Sequence, residues 1–458
     1  MVRTGAAYMR SISDAHAGNV EYEGTRITDL KDSHLAIQMQ SVADRYYDVT
    51  SRDANLQFTD PQGNGPNSMA YMLPMSKEAL HRKSDYYRAI ARSYLGISGR
   101  MPDYMSAGIS AWAAAADVFG EFGNNLRACY ERIVRDDLYA THSTSVLRRM
   151  GPPIADTRID VVEENSDGIV VAGARAMATS APISDVLFVF PNRLIDATLP
   201  ADKAVFFSVP THAENLRFYC RCRFSGLSRL IDSLEETDAL VEFDRVFVPW
   251  RDVYIYKNLD LFRSFNHKTG ATHHFSVHTN ARAIEKLDFL LSVLATAGEL
   301  MGPSRNDHFN MLCGQVLRDR WALEAMQCQA LENGALNDHG VYCPEPTSIG
   351  AAKVYFMEAY PRMVRALREH FGSEFFQLFS SESTSDRLLA LLCDQWGMDP
   401  QSARKRLAVT QTLHDLLLSN MSTRSELYEM YYAGNPRSGH AYFWSTFGAS
   451  VARDALER

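Results

Sequence analysis

Apolar residues recur at spacings of three and four along Lys77–Tyr94, Ser106–Phe119 and Asn124–Leu138. That repeat lines one face of an α-helix, so three amphipathic helices are predicted there. Stretches rich in Gly, Pro and Asp, such as DPQGNGPNS at 60–68, separate them. The pattern changes after Met150. Gly151-Pro152-Pro153 stops any helix, and short runs rich in β-branched and aromatic residues follow: RIDVVEE (158–164), GIVVAGARAM (168–177), DVLFVFP (185–191), AVFFSVP (204–210), LRFYCRC (216–222) and ALVEFDRVFVP (239–249). Turn residues such as Asn165-Ser166-Asp167-Gly168 punctuate them. From about Thr272 the helical repeat returns over 281–302, 318–340, 351–372 and 402–421, with Gly302 and Gly340 as stop signals. An α+β protein is expected, with an N-terminal helical domain (1–145), a central β-barrel or sandwich domain (146–270) and a C-terminal helical bundle (271–458).

Composition narrows the function classes. The chain has 458 residues, 46% of them hydrophobic, which is ample for a core. Its formal net charge of -8 argues against a nucleic-acid partner, which calls for a basic face. The N-terminal residues lack an apolar signal-peptide core, and no run of some 18 apolar residues suggests a membrane span, so a cytoplasmic protein is expected. The seven cysteines are odd in number and widely spaced, which suits reduced thiols. Cys220 and Cys222 are two apart in a strand-like run and are expected on one face of a half-buried strand.

Nucleotide and hydrolase motifs are missing: there is no P-loop, no GxGxxG after a strand, no GxSxG and no HExxH. The richest polar cluster is GRMPDYMS at 99–106. If a helix starts at Pro102, Arg100 and Tyr104 reach one pocket, where a guanidinium fork and a phenol hydroxyl can hold an anionic oxygen. Taken alone, the same residues also fit a surface arginine beside a packed tyrosine. His142 stands at the switch from helix to strand, as a proton carrier or a structural imidazole. His274 and His278 are four apart beside His273. No third ligand lies close, so capping and packing are expected there and no metal.

These segments also resemble a known family, the oxygenase components of two-component 4-hydroxyphenylacetate 3-monooxygenases and their chlorophenol-monooxygenase relatives. The similarity runs through RTGAAYMRSISD (3–14), GRMPDYM (99–105), DLYATH (137–142), GIVVAGARAMATSAPISD (168–185), VEFDRVFVPW (241–250) and RSELYEMYYAGNP (424–436). The order of helices, β-domain and helical bundle is that of the acyl-CoA dehydrogenase architecture, in which flavin lies between the β-domain and the bundle; that layout is an analogy of fold only.

The resemblance implies a reduced-flavin-dependent hydroxylase of phenolic or heteroaromatic small molecules, working through a flavin hydroperoxide. It implies FAD reduced by a separate flavin reductase, molecular oxygen as co-substrate and a homo-oligomer built as a dimer of dimers. Arg100, Tyr104 and His142 would be the catalytic and substrate-binding residues, joined by Thr198 on the substrate. His142, Thr144, Thr179, Ser180, Gly434, Asn435 and Pro436 would bind the cofactor. The chain departs from the family after His142: Ser-Thr-Ser-Val-Leu stands where relatives carry Asn-Pro-Gln. With divergent stretches near 192–202 and 262–280, that departure points to a substrate other than 4-hydroxyphenylacetate, in specialised metabolism. Two other readings stay open: an acyl-CoA dehydrogenase-like oxidoreductase using Glu299 or Glu426, and a non-catalytic flavin- or ligand-binding scaffold. A third, an iron–sulfur dehydratase of the same fold, lacks the cysteine it needs near position 100.

Overall fold

The computed structural model describes residues 2–15, 18–60, 63–144, 158–190, 199–302, 307–432 and 436–448. The first third is built from helices α1 (Gly5–Ala15), α2 (Leu35–Val42), α3 (Asp48–Arg52), α4 (Lys77–Ser93), α5 (Pro102–Ala114) and α6 (Gly123–Asp136). Strands β1 (Val20–Tyr22) and β2 (Thr25–Ile27) lie among them, with a two-residue pair, β3 (Gln57–Phe58) and β4 (Asn67–Ser68). α4 shows how sequence sets the helix. Ser76 caps it by accepting from Ala79 N–H, and Leu80, Tyr87, Ile90 and Ala91 line its buried face. Lys83 shares that face; its ammonium donates to Ala70 O, Met72 O and Ser110 Oγ at 2.6–2.9 Å. Burial drives its pKa far down.

The middle of the chain supplies β5 (Ala140–Ser143), β6 (Ile159–Glu164), β7 (Gly168–Thr179), β8 (Val186–Val189), β9 (Val205–Pro210), β10 (Leu216–Cys220), β11 (Asp238–Pro249) and β12 (Val253–Tyr256), with a one-turn helix α7 (Arg229–Asp232). They form two sheets, ordered β2-β1-β10-β11-β7-β6 and β12-β9-β8-β5. β11 and β7 pair antiparallel over most of their length, while β5 runs parallel to β8. Apolar side chains of the two sheets meet, for example Phe207 against Phe243 at 5.9 Å between ring centroids. β5 is an edge strand of its sheet, and its side chains tie it to the other one: Thr141 Oγ1 donates to Thr179 O (2.6 Å) and Ser143 Oγ to Ala176 O (3.1 Å).

The last third is helical: α8 (Leu259–Lys268), α9 (Ala271–Met301), α10 (Asp307–Glu332), α11 (Pro346–Phe371), α12 (Asp386–Trp396), α13 (Pro400–Leu417), α14 (Asn420–Tyr431) and α15 (Pro436–Phe443). Between α10 and α11 lies a small hairpin, β13 (Ala335–Leu336) and β14 (Tyr342–Cys343). The long α9 packs against α4, α5, α10, α11 and α13 and forms the spine of the bundle. No described helix is long and apolar enough to cross a membrane.

The chain is an α+β protein with the acyl-CoA dehydrogenase-like arrangement that the element order suggested. Several details differ from the sequence reading. β1 and β2 extend the six-stranded sheet, and β5 belongs to the other, although all three lie in the segment expected to be helical; runs of three or four residues are too short for a period of two to register. α5 begins at Pro102 rather than Ser106, because proline sets the first helical turn. Gly302 does end α9 in a left-handed conformation, whereas α10 stops at Glu332 and Gly340 turns the β13–β14 hairpin. β10 ends at Cys220, so Cys222 is exposed beyond the strand and shares no strand face with it.

Candidate active site

Pro102 occupies the first helical position of α5, with Met101 extended before it. This turn brings Arg100 back over the first turn of its own helix, with its guanidinium carbon 3.8 Å from the Tyr104 ring centroid. The backbone here is fixed from two sides. Gly99 and Arg100 N–H groups donate to the Glu236 carboxylate at 2.9 and 2.5 Å, and Tyr139 Oη donates to Arg100 O at 2.7 Å. The Arg100 side chain is buried, and its Nη1 donates to Tyr428 Oη at 2.5 Å. Among the described residues, Arg100 Nε and Nη2 and Tyr104 Oη have no hydrogen-bond partner, and no carboxylate pairs with the guanidinium.

β5 supplies the third member. The His142 imidazole stacks on Tyr104 (5.4 Å, 29°) and on Phe190 (5.7 Å, 20°). Its Nδ1 is buried without a hydrogen-bond partner among the described residues. The enclosed ring, and secondarily the Arg100 charge, hold its pKa well below 6.5, so it is neutral at pH 7. The other side of the group comes from α9. Phe275 stacks on Tyr104 at 4.9 Å, and His278, one turn further on, meets it edge-on at 5.3 Å. His278 Nε2 lies 2.9 Å from Asp103 Oδ2, both side chains buried.

Arg100, Tyr104 and His142 therefore converge, although 38 residues of chain separate Tyr104 from His142. Thr179 and Ser180 lie next to β5 through the Thr141–Thr179 bond. The Thr179 hydroxyl is committed to Asp238 Oδ1 at 2.5 Å. Ser180 is buried in a left-handed conformation, its N–H donating to Thr237 O at 2.8 Å. Thr144 is half-buried just past β5, and Pro436 opens α15, which packs on α11. Thr198, Gly434 and Asn435 lie outside the described residues, as does the stretch from Ser145 where the family pattern is lost.

Other sequence candidates fall elsewhere. His274 and His278 do not share a ligand: His274 is a buried packing residue whose pKa burial, then the Lys83 charge, push down to about 3. No group of three or more His, Cys, Asp or Glu side chains among the described residues is placed to hold a metal ion. Glu299 is exposed, and Glu426 pairs with Arg368 at 3.3 Å. Residues that sequence reasoning did not single out are Asp103, Glu236, Phe275 and Tyr428. His278 did carry a signal, its spacing from His274, which points to capping and packing.

The arrangement has the chemistry of an aromatic-binding site. Stacked rings offer faces, a guanidinium offers unspent donors, and an imidazole nitrogen without a partner among the described residues sits on an edge strand.

The family description "4-hydroxyphenylacetate 3-hydroxylase N terminal" matches residues 4–255 and its C-terminal counterpart matches residues 262–458. The chain is 30% identical over 454 residues to the 4-hydroxyphenylacetate 3-monooxygenase oxygenase component of Thermus thermophilus, covering 95% of this chain and 92% of that protein. It is 27% identical to a Streptomyces globisporus monooxygenase named for a (3S)-3-amino-3-(3-chloro-4-hydroxyphenyl)propanoyl group on a peptidyl carrier protein, covering 94% and 85% of the two chains. Among solved structures, an oxygenase component of 4-hydroxyphenylacetate 3-monooxygenase in complex with FAD and 4-hydroxyphenylacetate superposes with a TM-score of 0.92 at 28% identity, over 99% of this chain and 98% of that one.

Proposed function

The chain belongs to the 4-hydroxyphenylacetate 3-hydroxylase family, and we propose that Arg100, Tyr104 and His142 hold the ring hydroxyl of its aromatic substrate. The protein is the oxygenase component of a two-component, FAD-dependent aromatic monooxygenase. Reduced FAD and dioxygen, when bound, supply the electrophilic oxygen atom. The chain's own residues supply position and field.

In this reading the substrate oxygen lies against Arg100 Nε or Nη2 and Tyr104 Oη, donors without a partner among the described residues. A fixed guanidinium without a carboxylate partner favours phenolate over phenol and raises electron density on the ring carbon to be attacked. His142 is neutral and its Nδ1 has no partner among the described residues. As the phenol ionises to the phenolate that Arg100 favours, His142 is placed to accept the hydroxyl proton. Apolar neighbours Phe190 and Phe275 keep water from the reacting face. The residues expected to hold FAD are His142, Thr144, Ser180, Gly434, Asn435 and Pro436, with Thr179 contributing main chain because its hydroxyl serves Asp238. Thr198 would meet the far end of the substrate.

The substrate we infer is a phenolic or heteroaromatic compound of specialised metabolism, a reading supported by the Streptomyces relative. A separate reductase supplies the reduced flavin. A dimer of dimers in the cytoplasm is inferred as well; the exposed Trp321, Phe376 and Trp444 are large apolar side chains that such an assembly would cover. The single observation that carries the proposed site is the stack of Arg100, Tyr104 and His142 with hydrogen-bonding capacity left over.

The test supplies purified protein with chemically reduced FAD, air and a panel of phenols, and follows products by mass. A gain of one oxygen atom is expected with at least one phenol. Arg100→Ala, Tyr104→Phe and His142→Ala should each reduce the rate on the order of a hundredfold. Undiminished rates in all three variants would end the site assignment.

A further inference from the structure

We propose that Tyr428 is the positioning residue that aims Arg100 at the substrate oxygen, and that position 99 is glycine to admit it. The proposal rests on the role given to Arg100 above. Tyr428 stands on α14, 328 residues from Arg100 in the chain, yet its hydroxyl accepts from Arg100 Nη1 at 2.5 Å. The same hydroxyl donates to Gly99 O at 3.4 Å, so it bridges the side chain of one residue and the backbone of its neighbour. The guanidinium is thereby held between two rings, 3.8 Å from the Tyr104 centroid and 5.1 Å from that of Tyr428.

Tyr428 is itself immobilised. Its ring faces Arg282 at 5.0 Å and Arg424 at 6.0 Å and stacks on Tyr432 at 5.4 Å and 12°. Arg282 is anchored by Glu429, and Arg424 by Glu236 and Asp238. Burial raises the Tyr428 pKa, so it stays a neutral phenol. That neutrality matters. A carboxylate in its place would orient Arg100 equally well but cancel its charge. A phenol hydroxyl orients the guanidinium and leaves the charge for the ligand.

Gly99 completes the device. A β-carbon there would stand 2.3 Å from Tyr428 Oη and 2.4 Å from its Cζ. Any side chain at 99 therefore drives the hydroxyl away from Arg100.

The test uses 4-nitrophenol, whose anion is coloured, bound to the FAD-loaded protein. Absorbance titration against pH reads the ionisation midpoint of the bound probe. The wild type is expected to lower this midpoint relative to free nitrophenol, and Arg100→Ala to restore it. Tyr428→Phe keeps the ring and its packing. It should raise the midpoint by about one pH unit and weaken anion binding about tenfold, the loss expected for one hydrogen bond to a charged group. Gly99→Ala should move the midpoint in the same direction, and FAD affinity should hold in Tyr428→Phe. A Tyr428→Phe midpoint equal to the wild type, with Arg100→Ala shifted, overturns the positioning role alone. A wild-type midpoint equal to that of free nitrophenol overturns the role of Arg100 and this proposal with it.

Discussion

Replacing Glu429 with glutamine removes one charge from the most enclosed ionic group among the described residues. Glu429 is fully buried on α14 and accepts from Arg282 Nη1 and Nη2 at 2.7 and 2.6 Å and from Lys286 Nζ. Burial opposes its ionisation, but the two cations outweigh it and carry its pKa from 4.5 down to about 2. Each tenfold change in proton affinity is worth about 1.4 kcal/mol, so the ionised carboxylate contributes about 3 kcal/mol at pH 7. The sign follows from the depressed value: the contribution is complete above the unfolded pKa near 4.5 and fades as pH falls toward 2. Breaking a buried pair by removing one partner gives a similar figure of about 3–5 kcal/mol, because the remaining charges lose their counterion. Lys286 limits the damage, since burial already lowers its pKa to about 8 and it can shed its proton. Glu429→Gln is therefore expected to lose about 3 kcal/mol at pH 7 and about half that at pH 3, measured by denaturant unfolding of variant and wild type side by side. A loss below about 1 kcal/mol at pH 7, or a loss that grows as the pH falls, would refute the reasoning.

Two further perturbations test neighbouring features. Gly96 has φ +66° and gives its carbonyl to Arg282, and an added β-carbon would meet the Lys286 backbone nitrogen at 2.2 Å; Gly96→Ala should cost about 2 kcal/mol or more in the same unfolding assay, and a neutral outcome would contradict the close approach. His142 is held neutral well below pH 6.5, so stability should fall as the pH drops through 6.5, where the unfolded chain binds a proton that the folded one refuses. The step should vanish in His142→Asn, as followed by thermal unfolding across pH 5–8.

Much of the fold is legible in the residue pattern where elements are long. α4 and α6 appear within a few residues of their sequence-predicted spans because each buries a full helical stripe. β7 and β11 do so because each β-rich run is long, twelve residues in the structure. The pairing of Arg100 with Tyr104 was legible because Pro102 between them sets a helix start, which is local chemistry. Tyr428 was not, since nothing in RSELYEMYY says which residue 328 positions away its hydroxyl will meet. The Asp103–His278 contact was hidden for the same reason: the spacing of His278 from His274 marks a shared helix face, not a partner 175 positions away. Long-range contacts are settled by packing of whole elements, so a local pattern carries no trace of them.

The opening of the chain is tied to its middle. Val20 pairs with Phe218 across β1 and β10, and the Arg3 guanidinium donates to Asp185 Oδ2 at 2.7 Å. On the ribosome these first segments must wait while about 200 further residues are made, on the order of 10–40 s at roughly 5–20 residues per second. Until then β1 and β2 have no sheet to join, and the partly made protein carries an unmatched strand edge that invites association with other nascent chains. Slowing synthesis between the two segments should therefore lower the yield of folded protein more than slowing it after Phe218.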